Sequence, residues 1–283
     1  IDTLIKYKGR IWGMVLYAHG MPIGQISESS EDSFNQATLI TCVKKQDFKL
    51  AKLYLMQCYS GYQGNVSILW NELDKFIETR KSKEPEKYKG KWAERFGNDN
   101  PIHIEIGCGK GNFIVGMAKM YPDVNFIAIE KVEDVIVMAM EKTVAAELTN
   151  VLFMDMDAEK LEDIFEFGEI RRIYLNFSDP WKKNKQAKRR LTHKRFLDRY
   201  KAVLKQGDYI WFKTDNKALF DFSLNSFAEE NFKLENISLD LHNSKFEGNV
   251  MTEYEQRFSE QGMPIYRLEA TYLGWEDNRK KES

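Results

Sequence analysis

Five residues of strand character, Ile102-His103-Ile104-Glu105-Ile106, run directly into Gly107-Cys108-Gly109-Lys110-Gly111. A helical pattern through Phe113, Val115, Met117, Ala118 and Met120 follows at once. A strand that hands over to a helix through three glycines confines the chain to folds whose backbone turns sharply at a sheet edge. The alternation then repeats. Residues 124–129 read as a strand closed by Glu130, residues 132–148 as a helix, and residues 151–154 as a third strand. Residues 170–177 read as a fourth strand, 192–204 as a helix and 209–213 as a fifth strand. Strands alternating with helices make a parallel sheet covered on both faces. The expected fold class is therefore α/β, doubly wound and mostly parallel.

In such a sheet, ligands sit at the carboxyl ends of the strands. Gly107, Gly109 and Gly111 let a ligand approach the backbone there without meeting a Cβ. The spacing is G-x-G-x-G followed by Asn112, not the G-x-G-x-x-G of dinucleotide sites. Glu105 precedes the turn by two residues, where a carboxylate would repel a pyrophosphate and attract a sulfonium or amino group. Glu130 closes the second strand, where it can accept from both hydroxyls of a ribose. A ligand with a ribose and an amino-acid-like cation but no phosphate is implied, and S-adenosylmethionine fits. Asp157, just past the third strand, is placed to accept from an adenine amino group, with Asp155 as the competing candidate. Cys108 reads as filler of a small turn position, and His103 as a packed strand residue.

The fourth strand ends in Asn176-Phe177-Ser178-Asp179-Pro180-Trp181. Proline fixes the backbone just after Asp179 and holds the carboxylate at the ligand edge. The densest positive charge in the chain comes next, Lys182-Lys183-Asn184-Lys185-Gln186-Ala187-Lys188-Arg189-Arg190, with His193, Lys194 and Arg195 behind it. A formal net charge of −1 excludes a protein that coats nucleic acid with its whole surface, so this local run stands out. Beside the expected site it reads as a phosphate-binding patch that positions a nucleic-acid substrate without reading its sequence.

Domain organisation follows composition. Residues 1–80 read as a small α+β domain. In it, residues 11–17 and 23–26 are strands, His19-Gly20-Met21-Pro22 is a turn, and helical patterns run through Phe48 to Cys58 and Val66 to Ile77. Residues 81–100, charged and then turn-rich, read as a linker. Residues 101–275 form the catalytic domain, and 276–283 a charged tail. Three widely spaced cysteines without a CxxC pair speak against a disulfide framework or a zinc site. The four histidines form no paired metal-ligand spacing, so no metal is expected. No apolar run approaches the ~18 residues of a membrane span, and no secretory leader is visible. A cytoplasmic protein that avoids membranes is the expectation; oligomeric state is not legible.

Several motifs in order now carry a resemblance. They are residues 96–107 (Phe96-Gly97-Asn98-Asp99-Asn100-Pro101 leading into the first strand and Gly107), Tyr174-Leu175-Asn176-Phe177-Ser178-Asp179-Pro180-Trp181 and Lys188-Arg189-Arg190-Leu191-Thr192. To these add Phe212-Lys213-Thr214-Asp215-Asn216 and Gly248-Asn249-Val250-Met251-Thr252-Glu253-Tyr254-Glu255. From about Tyr88 to Tyr272 the chain resembles the bacterial tRNA (guanine-N7)-methyltransferases. The resemblance implies a Rossmann-like class I fold dependent on S-adenosyl-L-methionine, and methylation of N7 of the guanine at tRNA position 46. It implies Glu105, Glu130, Asp157 and Asp179 as donor-site acids, with Asp179 also catalytic. It implies Lys183, Asp215, Thr252, Glu253, Tyr254 and Glu255 as substrate-binding residues, Glu253 or Glu255 accepting from the guanine edge. Lys185, Gln186, Ala187, Lys188, Arg189 and Arg190 match the stretch that contacts RNA. The chain departs from the family at Lys182, where proline is usual, and in its first 80 residues, where a short arginine-rich segment is usual. The rival readings are a methyltransferase of amino groups on other RNA or DNA bases, a non-catalytic RNA-binding relative, and a dinucleotide oxidoreductase.

Overall fold

The computed structural model of the chain describes residues 15–18, 21–25 and 85–274. Strands β1 (Val15–Ala18) and β2 (Met21–Gln25) pair antiparallel, Ala18 opposite Met21 and Tyr17 opposite Pro22. Met21 and Pro22, read from sequence as turn, thus belong to the second strand. The expected helices within residues 48–77 lie outside the described residues. This ladder and the large sheet belong to separate compact units.

The second unit opens with a 3-10 turn, Pro85–Tyr88, and helix α1 (Trp92–Phe96). Then follow β3 (Ile102–Ile106), α2 (Asn112–Met120), β4 (Asn125–Glu130), α3 (Glu133–Ala145, of which the residues up to Ala139 group with this unit), β5 (Val151–Asp155) and α4 (Leu161–Ile164). Next come β6 (Ile170–Asn176), α5 (Lys194–Val203), β7 (Leu204–Thr214), α6 (Lys217–Glu229), β8 (Phe232–Ser238), α7 (Glu253–Glu260) and β9 (Tyr266–Tyr272). The seven-stranded sheet has the order β5-β4-β3-β6-β7-β9-β8. Neighbours from β5 to β7 are parallel, and β9 runs antiparallel to both β7 and β8. This is the expected doubly wound, mostly parallel fold. The β8–β9 pair and helices α6 and α7 were not read from the sequence.

Alternation along the strands splits the sheet into two faces. Ile102, Ile104, Ile106, Ile173, Leu175, Ile210, Phe212, Leu268 and Ala270 enter the apolar core, joined by Phe196 and Tyr200 of α5 and Phe220 and Phe227 of α6. The opposite face of the central strands is polar and aromatic. There the Arg172 guanidinium lies 4.3 Å from the ring centroids of both Tyr209 and Trp211. β7 starts earlier than its sequence pattern because Lys205–Asp208 loops out of the ladder. Ile170 pairs with Leu204, and the register resumes only at Arg172 and Tyr209.

Residues 85–96 fall in the stretch read as linker, yet Trp92 is fully buried among core residues. Its indole N–H donates to the Ile164 carbonyl at 3.0 Å, and its ring meets Tyr88 and Phe165. Trp92→Ala removes that packing and leaves a buried carbonyl unpaired. It should cost about 3–5 kcal/mol of stability in denaturant titration; a loss below about 1 kcal/mol would show that the segment is dispensable. No helix among the described residues is long and apolar enough to cross a membrane.

Candidate functional site

From β3 the chain winds outward through β4 to β5, then crosses back to β6 on the other side of β3. The switch point, and with it the crevice at the strands' carboxyl ends, lies between β3 and β6. Glu105 and the glycine turn stand on one lip, Asn176 to Trp181 on the other.

Glu105 is 1% exposed. Its Oε1 accepts from Asn176 Nδ2 at 2.9 Å, and its Oε2 is buried with no hydrogen-bond partner. Burial pushes its carboxyl up to about 8, against the pull of the Asn176 bond and Lys213 and with the push of Glu253 and Glu130. Asn176 carried no role in the sequence reading. The signal available was a polar residue closing the run Ile173-Tyr174-Leu175, beside the strand that carries Glu105.

The glycine turn is anchored by the Gly107 and Cys108 N–H groups, which donate to the Ile129 carbonyl at 2.8 and 3.1 Å. Gly109 N donates to Glu130 Oε2 at 3.0 Å, so the acid closing β4 orients the turn after β3. The other oxygen of Glu130 accepts from the backbone of Lys131 and Val132. A Cβ on Gly107 or Gly109 would meet nothing within 4 Å, leaving open space over the turn. Gly111 is different: with φ at 82°, its Cβ would fall 2.5 Å from that of Ala139, so close packing of α2 on α3 requires glycine here. Cys108 is buried, as a turn filler would be. His103 is buried too, with Nδ1 3.1 Å from the Tyr174 hydroxyl. Burial, aided by Arg172 and Arg171, lowers its pKa to about 3, so it stays neutral.

Asp157 caps the 3-10 turn after β5, accepting from Glu159 N at 3.0 Å, and pairs with Lys131 at 2.6 Å. Partial burial would raise its pKa, but the Lys131 bond and the Glu159 N–H outweigh that and hold it below the usual carboxylate value. The competitor Asp155 lies in register with Glu130 and is exposed.

On the opposite lip, Phe177 and Trp181 adopt left-handed conformations, with φ of 51° and 41°. Bulky residues rarely do so, and such outliers gather at functional sites. Between them Asp179 is exposed, while the Ser178 hydroxyl is buried without a partner. Lys183, Lys185, Lys188 and Arg189 are exposed; Gln186, Ala187 and Arg190 are half-buried. Asp215 is half-buried just beyond β7.

The 252–255 tetrapeptide divides. Thr252 caps α7 through Glu255 N at 2.9 Å. Tyr254 is exposed and stacks on Phe258, which in turn meets Phe177. Glu253 is half-buried and near enough to Glu105 to raise its pKa. Glu255 is fully buried. Its Oε2 takes Lys213 Nζ at 2.6 Å, and its Oε1 takes Asn249 Nδ2 at 2.6 Å and faces His242 Nε2 at 3.2 Å. Of the two acids read as acceptors for a guanine edge, Glu253 is half-buried and Glu255 is bonded to Lys213 and Asn249. Lys213 also donates to Asn249 Oδ1 and the Val250 carbonyl, pinning the loop before α7 to the end of β7. Lys213 is another residue to which the sequence reading gave no role.

A family model described as "Putative methyltransferase" matches residues 99–268. The tRNA (guanine-N(7)-)-methyltransferase of Listeria monocytogenes serotype 4b (strain F2365) is 55% identical over 190 residues, covering 67% of this chain and 89% of that protein. The tRNA (guanine-N(7)-)-methyltransferase of Bacillus subtilis (strain 168) is 56% identical over 188 residues, 66% of this chain and 88% of its own. Among solved structures, the 16S rRNA methyltransferase KamB aligns over 65% of the chain and 93% of its own, at 13% identity and a TM-score of 0.49.

Proposed function

The chain belongs to the tRNA (guanine-N7-)-methyltransferase family, and from that premise we propose that it moves a methyl group from S-adenosyl-L-methionine to N7 of guanine 46 in the tRNA variable loop. The donor supplies an electrophilic methyl on a sulfonium. The observation that carries the donor reading is the unpartnered, buried Oε2 of Glu105 beside an open glycine turn. A buried carboxylate oxygen without a donor is costly unless a ligand completes it, and a cationic amino group is the fitting complement. Glu130 is assigned the ribose hydroxyls and Asp157 the adenine amino group.

Guanine N7 presents an in-plane lone pair, so no base is needed to expose a nucleophile. The residues' work is alignment and charge. Asp179 is assigned to the reacting centre, where its carboxylate stabilises the positive charge that develops on the base. Asp215 and one of Glu253 and Glu255 accept from the guanine's amino and imino edge, and Lys183, Thr252 and Tyr254 complete the acceptor side. The basic run from Lys185 to Arg190 is assigned to the tRNA backbone, whose phosphates supply affinity and register.

The test is to incubate the full chain with tRNA and isotope-labelled donor, digest the RNA and map the labelled nucleoside. Label in 7-methylguanosine at position 46 is the expected result. Label on an exocyclic amino group, or none, would overturn the assignment.

A further inference from the structure

Arg190 turns back on the loop that carries Asp179. Its Nε donates to the Pro180 carbonyl at 3.0 Å and its Nη2 to the Trp181 carbonyl at 3.1 Å. The face of the same guanidinium lies 4.4 Å from the ring centroid of Phe222 on α6. Arg189 sits 3.6 Å over the ring of Trp181. Between these anchors the backbone forms one short 3-10 helix, Asn184–Arg189, closed by Arg190 N on the Ala187 carbonyl. The basic run is therefore a closed loop. Lys182, Lys183, Lys185 and Lys188 are exposed on its rim, and Arg190 forms its neck.

The neck bears on backbone that needs holding. Two consecutive carbonyls directly after Asp179 are gripped by one planar fork, and one of them belongs to the left-handed Trp181. An ammonium cannot reproduce this, because it is a point charge with no flat face to lay on Phe222. We propose that Arg190 is a positioning residue for methyl transfer, fixing the Asp179 turn, while Lys185 and Lys188 on the rim carry the phosphate contacts. The proposal rests on the reading of Asp179 and tRNA given above. It divides a run that sequence treats as one patch, and it ties the RNA-contacting rim to the reacting centre through a single rigid loop.

The test compares Arg190→Ala, Arg190→Lys and Lys188→Ala in the full chain. Two quantities are read: the single-turnover methylation rate at saturating tRNA and donor, and tRNA affinity as a function of salt. For Arg190→Ala the expected rate falls about 100-fold, as for a displaced reacting group, with the slope of log affinity against log salt unchanged. Arg190→Lys keeps the charge, and its rate should stay at least about tenfold below wild type because the fork is lost. Lys188→Ala should weaken affinity and reduce the salt slope by about one. Should Arg190→Ala fail to fold, as judged by its thermal transition, Arg190→Lys alone decides. A wild-type rate in Arg190→Lys, or a shallower slope with an unchanged rate in Arg190→Ala, would make Arg190 a phosphate contact and overturn the proposal. Wild-type protein that leaves tRNA unmethylated would instead sink the functional reading beneath it.

Discussion

Asp179→Ala is expected to lower the single-turnover rate of tRNA methylation by roughly 10²- to 10³-fold, the usual effect of deleting one group aimed at charge that develops in a transition state. The acceptor base starts neutral and ends cationic, so a fixed carboxylate nearby interacts more strongly with the transition state than with the ground state. Three features of the chain hold Asp179 for this task. Pro180 fixes the backbone after it, Phe177 and Trp181 bend the chain on either side, and Arg190 grips the carbonyls that follow. The residue is exposed and makes no hydrogen bond among the described residues, so its removal should leave the thermal transition in place. Asp179→Asn keeps the shape and loses the charge, and should fall between wild type and Asp179→Ala. A variant that folds normally and methylates at the wild-type rate would remove Asp179 from the mechanism.

How far the sequence led depends on whether a signal was local. The strand, glycine turn and helix from Ile102 to Met120 were legible because all their determinants lie within about 20 residues. Glu105 and Glu130 were legible because strand ends in a parallel sheet gather at one edge, so two positions in sequence imply one place in space. The antiparallel β8–β9 pair escaped. Its alternation of Leu268, Ala270 and Tyr272 with Arg267, Glu269 and Thr271 was present in the sequence, but charged residues on the second face masked it. Trp92 escaped because a charged, turn-rich stretch hides one indole whose pocket is built more than 70 residues later. The partners of Glu255 escaped because sequence cannot show Lys213, Asn249 and His242 converging on one carboxylate. Nor can it show Arg190 turning back on the loop: a run of like charges looks uniform until the fold separates neck from rim.

Donor affinity should rise with pH and level off near pH 8, because Glu105 must give up a proton to meet a cation. Complete burial lifts its carboxyl from 4.5 to about 8. Below that pH the donor-free protein holds Glu105 protonated, and a bound amino cation favours the ionised form. Binding then expels up to one proton, and each pH unit below about 8 weakens affinity by up to tenfold. Burial sets this window first; Asn176 and Lys213 pull the carboxyl down, and Glu253 and Glu130 push it up. Calorimetry at pH 7 in two buffers of different ionisation enthalpy counts the proton directly. Glu105→Gln should flatten the profile and, by removing the charge that pairs with the donor, weaken binding at pH 8 by roughly 10²- to 10³-fold. Stability without donor moves in the opposite sense. A carboxyl whose folded pKa lies above its unfolded one contributes stability that is fully present below about 4.5 and lost as pH rises to about 8. The donor-free wild type should therefore lose stability across that interval relative to Glu105→Gln, and saturating donor should restore it most at the alkaline end. Proton release of zero at pH 7, with affinity flat between about pH 6 and 9, would mean that Glu105 is already ionised and that its unpartnered oxygen is not what receives the donor's cation.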